Sequence, residues 1–264
     1  MNYKHWFPTY RARYLFVRDA LAELGRPKRA LDLGCGEGDV DRMLAERCDQ
    51  VVSCDLNPDD VAHAREVNHD VRNLTYVVED AQATTFDDAS FDLVVCLEVI
   101  EHVGAPRHLL REVARVLAPG GKCVLTCPNE RFPATYDPLN YALARRGSGH
   151  VPVGAYAYGH DWLVREDRFH EWLGDTGLRV VREERLTGAV AGVLELYWAG
   201  LAHRVLKANA KNTHHAGQRG VRPPSHKEPI GVGLIDALIA RDKAFVAREA
   251  EPRSVGLAYV LERT

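Results

Sequence analysis

Three glycines at alternate positions restrict the fold of this 264-residue chain more than any other feature of its sequence. Gly34, Gly36 and Gly38 follow the short apolar run Leu31–Leu33 and precede a helix-like segment, residues 40–47. Glycine lacks a side chain and tolerates positive φ, so such a turn can be tight and can let a ligand contact the backbone. The pattern predicts a strand, a ligand-contacting loop and a helix in succession.

A second apolar run, Val51–Cys54, ends at Asp55. An acidic residue that ends the second strand, about 20 residues after the loop, is placed to bind the hydroxyls of a ribose. Residue 39 is Asp, whereas a Gly-x-Gly-x-x-Gly loop would have its third glycine there. This spacing disfavours a dinucleotide and hence a nicotinamide dehydrogenase. Without Asp55, the glycines would indicate only an ordinary strand, turn and helix.

Apolar runs and helical patterns alternate along the chain, which predicts a parallel sheet covered by helices. Pro119–Gly121 is predicted to be a turn. The predicted strands are residues 30–34, 51–55, 74–79, 91–97, 122–127, 178–187 and 255–262. The predicted helices are residues 10–24, 40–47, 59–69, 106–118, 165–175, 190–208 and 231–249.

The predicted domain organisation is a core with two additions. Residues 1–29 form an N-terminal helical cap, residues 30–187 a core with an insertion at 128–164, and residues 254–264 its final strand. Residues 188–253 form a second, helical insertion. Long insertions at one edge of a scaffold are usually binding loops or lids, so both are predicted to cover a substrate.

Composition excludes several functional classes. The net charge of −3, with 27% charged residues, gives no global attraction to DNA or to acidic lipid. No apolar run reaches the roughly 18 residues that span a bilayer, and the first residues lack the apolar centre of a signal peptide. The six cysteines include no Cys-x-x-Cys pair, which favours buried free thiols. The chain is predicted to be cytoplasmic.

The segment from Asp32 to Gly38 resembles motif I of the class I methyltransferases that use S-adenosylmethionine (SAM). The resemblance implies a Rossmann-like, mostly parallel sheet of seven strands, with helices on both faces and the last strand antiparallel. It also implies SAM as cofactor and a set of contacts. Asp80 could instead be a helix cap or a turn residue. The implied SAM-binding residues are Asp32, Gly34, Cys35, Gly36 and Gly38 for the amino-acid part, Asp55 for the ribose, Leu56, Asp80 and Ala81 for the adenine, and Leu97.

A charged cluster follows the apolar run at residues 91–97. If the chain turns helical after Leu97, Glu98, Glu101 and His102 lie on one face. Two carboxylates and an imidazole repel one another unless a positive charge lies between them, and a divalent cation such as Mg²⁺ is one solution. Glu98 and His102 are also predicted catalytic residues, with His102 as general base.

This cluster resembles that of the ubiquinone-biosynthesis O-methyltransferases, in which the corresponding residues are metal ligands. Arg11 and Tyr14 match an early Arg-x-x-Tyr of that family, and Gly159–Trp162 matches a later Gly-His-Asp element. The small-RNA 2′-O-methyltransferases have a similar cluster and a later histidine, which makes His160 a fourth ligand or a general base. Many metal-free methyltransferases carry the same cluster, so a base without a metal, or a packing role, stays open.

Two segments bear on the acceptor. Residues 190–206 are strongly apolar around Glu195, which favours a buried core or dimer helix over a helix that lines a greasy pocket or contacts lipid at a membrane surface. Residues 207–227 carry five cations and no acid, and a solvated loop is favoured there over a phosphate-binding one.

The leading hypothesis is methyl transfer to the hydroxyl of a small molecule. The alternatives are an RNA 2′-O-methyltransferase, which the net charge disfavours, and a non-catalytic SAM-binding protein. The intact glycines and the charged cluster argue against the non-catalytic SAM-binding protein.

Overall fold

A computed structural model of the chain describes residues 2–131, 138–149, 163–188, 190–192, 194–195, 228–247 and 254–264. These residues fall into two compact units. The sheet unit comprises those within Tyr14–Glu130, Gly159–Glu184 and Gly256–Thr264. The helical unit comprises those within Met1–Arg13, Arg131–Tyr158 and Arg185–Val255. The roles assigned to the cap and to the two insertions stay predictions.

The sheet has seven strands in the order β3-β2-β1-β4-β5-β7-β6. Strands β1 to β5 pair in parallel, and β7 pairs antiparallel with β5, from Lys122 opposite Glu262 to Pro128 opposite Gly256. The strands are β1 Arg29–Leu33, β2 Gln50–Asp55, β3 Leu74–Val78, β4 Phe91–Leu97, β5 Leu117–Pro128, β6 Leu178–Leu186 and β7 Gly256–Arg263. The predicted fold class, a mostly parallel seven-stranded Rossmann-like sheet with an antiparallel last strand, is confirmed.

Six of the described helices begin and end close to predicted positions, and one, Pro138–Arg145, was not predicted. They are α1 Pro8–Glu23, α2 Asp41–Arg47, α3 Pro58–Val67, α4 Pro106–Val116, α5 Pro138–Arg145, α6 Glu166–Leu173 and α7 Val232–Val246. The start of α3 follows from its sequence: the Asn57 side chain accepts a hydrogen bond from the Asp59 N–H, and Pro58 is in the first turn. Among the described residues, no helix combines the length and apolarity that a bilayer crossing requires.

The core of the sheet unit lies around its central strands. Leu93, Val94, Val95 and Cys96 of β4 are all fully buried, as expected of a parallel strand that is covered on both sides. All six cysteines are free thiols, and five of them are buried. Burial raises the pKa of the Cys54 thiol to about 12 and that of the Cys48 thiol to about 11. These thiols therefore pack as small apolar groups.

The prediction of a turn at Pro119–Gly121 is wrong, because these residues lie inside β5. The register between β4 and β5 shifts there: Phe91 faces Leu117, but Leu93 faces Lys122. The extra residues form an irregular bulge, with Gly120 at φ +76°. A Pro-Gly-Gly sequence accommodates a bulge and a turn equally well, so the local pattern could not separate them.

Carboxylates connect distant segments within the helical unit. The Asp236 carboxylate accepts hydrogen bonds from Arg11 Nε (2.7 Å) and Nη2 (2.9 Å), and Glu228 forms a second ion pair with Arg11. Glu195 accepts hydrogen bonds from the backbone N–H (2.7 Å) and the hydroxyl of Thr9. Asp242 accepts three from backbone N–H groups, of Gly188 (2.6 Å), Val190 (3.2 Å) and Ala191 (3.1 Å). Residues 190–192 and 194–195 are helical. The remainder of the helix predicted to 208, the basic segment 207–227 and residues 248–249 lie outside the described residues.

Candidate functional site

The glycine loop has the left-handed backbone that its sequence predicts. Gly34, Gly36 and Gly38 have φ values of +85°, +51° and +77°. A Cβ atom on Gly34 would lie 2.4 Å from Cγ2 of Val99, and one on Gly38 would lie 2.8 Å from Oδ2 of Asp41. Among the described residues, a Cβ on Gly36 would meet no atom within 4 Å. The outer glycines are thus required by packing, while Gly36 faces open space in which a ligand can approach the backbone.

Asp55 fixes the loop from the end of β2. Its Oδ2 accepts a hydrogen bond from the Gly36 N–H (2.9 Å), and its Oδ1 accepts one from the Asn57 N–H (2.9 Å). The Cys54 carbonyl accepts two more, from Gly34 and Cys35. A carboxylate has about four acceptor positions, so two stay available for two further donors. This arrangement fits the diol of a ribose beside the loop.

Asp32 lies beneath the loop in a buried network. Its side chain is 2% exposed, and the nearby Asp41 is fully buried. Asp41 Oδ1 also accepts from the Ser53 hydroxyl (2.7 Å), and its Oδ2 from the Tyr76 hydroxyl (2.6 Å). Burial, followed by the charge of Asp41, raises the pKa of Asp32, and burial also raises the pKa of Asp41.

The sequence did not single out Asp41, Ser53 or Tyr76. Asp41 lies in the first turn of α2, where a carboxylate usually indicates only a favourable interaction with the helix dipole. Ser53 is opposite Asp32 in the β1–β2 register, and that pairing was the only available signal. Tyr76 belongs to β3, the neighbouring strand, where an alternating buried pattern conceals the role of its hydroxyl.

The residues predicted to contact adenine lie after β2 and β3. Leu56 is 68% exposed, which leaves its side chain available to an apolar ring. Asp80 is also exposed, and its Oδ1 accepts a hydrogen bond from the Gln82 N–H (2.8 Å). Asp80 therefore acts as a turn residue, and this hydrogen bond occupies one oxygen of its carboxylate. Ala81 is half-buried beside it. An adenine contact for these residues stays a prediction.

The segment after β4 forms turns, so the predicted helical face for the charged cluster is wrong. Glu98 has φ +55°, a left-handed conformation that stops a helix at once. Its N–H donates to the Thr126 carbonyl (3.0 Å), and its Oε1 accepts from the Thr126 hydroxyl (2.9 Å). Leu97, which faces Thr126 across β4 and β5, is half-buried. Thr126 was not identified from the sequence.

Glu101 and His102 differ sharply in exposure. The Glu101 side chain is fully buried and that of His102 is 38% exposed, with 4.0 Å between Oε1 of Glu101 and Nε2 of His102. Among the described residues, no three His, Cys, Asp or Glu side chains form a group that could hold a metal. Glu98, Glu101 and His102 therefore do not fit the predicted metal site as they stand. His160 lies outside the described residues, as does the rest of Gly159–Trp162.

Arg11, whose match was to an early Arg-x-x-Tyr, binds Asp236 and Glu228 in the helical unit. The structure thus gives this arginine an ion-pairing role.

Comparison with known proteins identifies relatives of this chain. Residues 31–125, from β1 to β5, match a family described as a methyltransferase domain. The ubiquinone biosynthesis O-methyltransferase of Xanthomonas euvesicatoria pv. vesicatoria is 33% identical over 184 residues, which cover 67% of this chain and 71% of that protein. The enzyme of the same name from Coxiella burnetii is 30% identical over 162 residues, 58% of this chain. This chain spans 64% of the length of that relative.

Solved structures agree on the fold. The N-methyltransferase NodS of Bradyrhizobium japonicum, in complex with S-adenosyl-L-homocysteine, superposes with a TM-score of 0.53 at 21% identity, over 70% of this chain and 83% of that one. Phosphoethanolamine N-methyltransferase 2 of Haemonchus contortus gives 0.56 at 20% identity, over 94% of this chain and 52% of that one. With the glycine loop, Asp55 and the sheet order, the methyltransferase-domain match and the 33% identical relative show that the chain belongs to the class I SAM-dependent methyltransferases.

Proposed function

We propose that this protein transfers the methyl group of SAM to the hydroxyl of a small molecule. The observation that carries the proposal is the glycine loop held by the Asp55 carboxylate, with open space at Gly36. The relatives named ubiquinone biosynthesis O-methyltransferases support oxygen as the methylated atom and a phenolic acceptor. Free thiols at all six cysteines support a cytoplasmic location.

The residues present fit SAM. The glycine loop and Asp32 would hold its amino-acid part, Asp55 its ribose hydroxyls, and Leu56 its adenine. Bound SAM supplies a methyl group that its positive sulfur already activates. The protein therefore has to orient the acceptor, exclude water and remove the proton of the acceptor hydroxyl.

His102 is our candidate for the base that takes this proton. It follows β4, and ligands of open parallel sheets bind beyond the carboxyl ends of the strands. Its ring is 38% exposed and therefore accessible, while the buried Glu101 carboxylate lies 4.0 Å away and stabilises the imidazolium once the proton arrives. Glu98 lies at the same strand end, but its bond to Thr126 indicates a positioning role.

The test measures transfer of a labelled methyl group from SAM to a pool of phenols and, separately, to short RNA. We expect methylated phenols, and we expect His102→Ala to lower kcat by about 10²–10⁴ while the Kd for SAM stays within about twofold. His108→Ala, which removes an exposed histidine of α4, is the matched control. Methylation of RNA alone would favour the 2′-O-methyltransferase. SAM binding without any methylated product would favour the non-catalytic protein.

No step is assigned to a metal, because the described donors do not form a ligand group. We expect the rate of methyl transfer to be unchanged after treatment with a chelator. A loss of more than about tenfold that Mg²⁺ restores would reinstate the predicted metal.

A lipid contact and a homodimer through residues 190–206 rest on the apolarity of that segment alone. Vesicle co-sedimentation and analytical ultracentrifugation test them separately.

A further inference from the structure

The backbone is strained where the chain leaves β4 for the candidate acceptor site. Glu98 has φ +55°, a left-handed conformation that a residue with a Cβ atom adopts only at a cost. Such conformations persist where the surrounding structure fixes them, and they are concentrated at functional sites. A partner that holds Glu98 in this conformation therefore controls the direction of the chain beyond β4.

Thr126 of β5 is such a partner. Its carbonyl accepts a hydrogen bond from the Glu98 N–H (3.0 Å), and its hydroxyl donates one to Oε1 of Glu98 (2.9 Å). Thr126 is fully buried, and it pairs with Leu97 of β4 on one side and with Ala258 of β7 on the other. A residue between two paired strands is held in place, so Glu98 is bonded to a rigid point of the sheet.

The hydroxyl of Thr126 differs from the side chains around it on β5. Val124, Leu125 and Cys127 are all fully buried and apolar. A hydroxyl in such surroundings costs free energy unless it forms a hydrogen bond, and a valine of similar shape would fill the same space. The bond to Glu98 accounts for a threonine at this position.

The turn from Glu98 to His102 joins the glycine loop to the candidate base. The Val99 side chain packs on Gly34, where an added Cβ would collide with it. The Val99 carbonyl accepts a hydrogen bond from the His102 N–H (2.9 Å). Ile100 is fully buried, whereas the His102 side chain is 38% exposed. The turn is therefore anchored in the core and presents its histidine at the surface of the site.

We propose that Thr126 is a positioning residue for methyl transfer: by holding Glu98 in the left-handed conformation, it fixes the turn that presents His102 to the acceptor. The inference rests on the proposed function, since it takes His102 as the base. The same turn keeps Val99 on the glycine loop, so base and cofactor are held at one spacing. Without the hydroxyl, the Glu98 carboxylate loses a donor and its backbone can relax toward an extended conformation. The chain after Glu98 then changes direction, and a displacement of about 1 Å in a reacting group costs about 10² in rate.

Matched substitutions at Thr126 test the proposal. Thr126→Val keeps the branched shape of the side chain and removes the hydroxyl, whereas Thr126→Ser keeps the hydroxyl. With labelled SAM and a phenol that the parent chain methylates, we expect Thr126→Val to lower kcat by about 10², while KM for the phenol and Kd for SAM stay within about threefold. Thr126→Ser should keep all three constants close to those of the parent chain. Thr75→Val, which removes a hydroxyl bonded to the Val51 carbonyl (3.4 Å), is the control and should do the same.

Hydrogen exchange gives a measurement that needs no acceptor. Thr126→Val should accelerate exchange over residues 98–102 by about tenfold, because loss of a hydrogen bond to a charged group makes local opening easier. Exchange in α3, which packs on β2 and β3, should not change. Thr126→Ser should exchange like the parent chain.

A double substitution separates action through Glu98 from a general loss of packing. Glu98→Gly has no carboxylate and adopts a positive φ without strain, so it should fold. We expect this variant to lower kcat by about tenfold or more at an unchanged Kd for SAM. In its background, Thr126→Val should lower kcat by less than about twofold, against about 10² in the parent chain. If Thr126→Val does not fold by itself, the kcat of Glu98→Gly decides the test.

Parent-like kcat in Thr126→Val or in Glu98→Gly overturns the inference, as does parent-like exchange over residues 98–102 in Thr126→Val. Equal losses of kcat from Thr126→Val in both backgrounds also overturn it, since the hydroxyl would then act without Glu98. Absence of methylated product from the parent chain overturns the proposed function and the catalytic role of the turn with it. That result is distinct from the others because the parent chain itself is then inactive.

Discussion

The sheet unit and the helical unit both depend on carboxylates that bind backbone or side-chain donors, but over different separations along the chain. Asp55 binds the N–H groups of Gly36 and Asn57, 19 and two residues away. In the helical unit, Glu195 binds Thr9 across 186 residues, and Asp236 binds Arg11 across 225. A loop with short-range partners can be recognised from local spacing. A unit connected across the whole chain cannot.

The largest expected loss of stability is in the glycine loop, and it tests whether packing against Val99 requires a glycine at Gly34. Gly34→Ala should lower the free energy of unfolding by about 2–5 kcal/mol, because a left-handed alanine costs about 1–2 and its Cβ collides with Val99 for about 1–3 more. Gly36→Ala is the matched control, since its Cβ meets no atom of the part of the chain that the structure describes and only the backbone cost applies. Urea denaturation measures both. Equal losses would show that the contact with Val99 does not matter.

A second change tests the long-range connection in the helical unit. Arg11 is 2% exposed, whereas its partners Glu228 and Asp236 are 44% and 36% exposed. Arg11→Met should lower the free energy of unfolding by about 3 kcal/mol, because it breaks a buried ion-pair network. Hydrogen exchange should accelerate in α7, which carries Asp236, more than in β1.

Arg18→Met is the control, because Arg18 and Asp19 form an exposed pair on the same helix as Arg11, worth about 0–1 kcal/mol. If the two substitutions had equal effects, the helical unit would not depend on this network.

The sheet and its loop could be predicted because their causes are local. The buried run at β4 and the glycine spacing after β1 each specify a conformation within a few residues, and both are confirmed. The end of β4 could not be predicted in the same way. Glu98 adopts a left-handed conformation while its carboxylate bonds Thr126 on the adjacent strand, and a helical wheel contains no information on that partner.

The buried pair illustrates the same limit within the best-predicted site. Asp32 was identified from its place before the glycines, but Asp41 was not, because an acidic residue at a helix start is common. Its role depends on Ser53 and Tyr76, from two other strands. A side-chain network with members from four elements can be recognised only once the order of the strands in the sheet is known.

A third change tests a single residue that organises several backbone groups. Asp242 is 2% exposed and accepts hydrogen bonds from three backbone N–H groups between Gly188 and Ala191. Asp242→Ala should lower the free energy of unfolding by about 2 kcal/mol, since it leaves these donors without an acceptor. Asp242→Asn keeps one acceptor oxygen and should lose about 1 kcal/mol. Thermal unfolding distinguishes the two, and equal losses would assign the effect to charge alone.

The last expected effect is a change of stability with pH, of at most about 1.4 kcal/mol per pH unit. Burial raises the pKa of Asp32 and of Asp41 in the folded chain above the value near 3.9 that unfolded aspartates have. Folding then takes up a proton, so the pair's contribution to the free energy of unfolding is fully present below about pH 4. It falls by about 1.4 kcal/mol per pH unit as the pH rises toward the raised pKa of the pair.

Urea denaturation of the parent chain and of Asp41→Asn at several values between about pH 5 and pH 7 measures this slope. The parent chain should lose more stability than Asp41→Asn as the pH rises, by at most about 1.4 kcal/mol per pH unit. Glu195 offers the internal comparison from the helical unit: burial raises its pKa too, but its partners are Thr9 donors that favour its charged form. Glu195→Gln should therefore change the slope less than Asp41→Asn, and a larger change would place the proton-linked carboxylate in the helical unit instead.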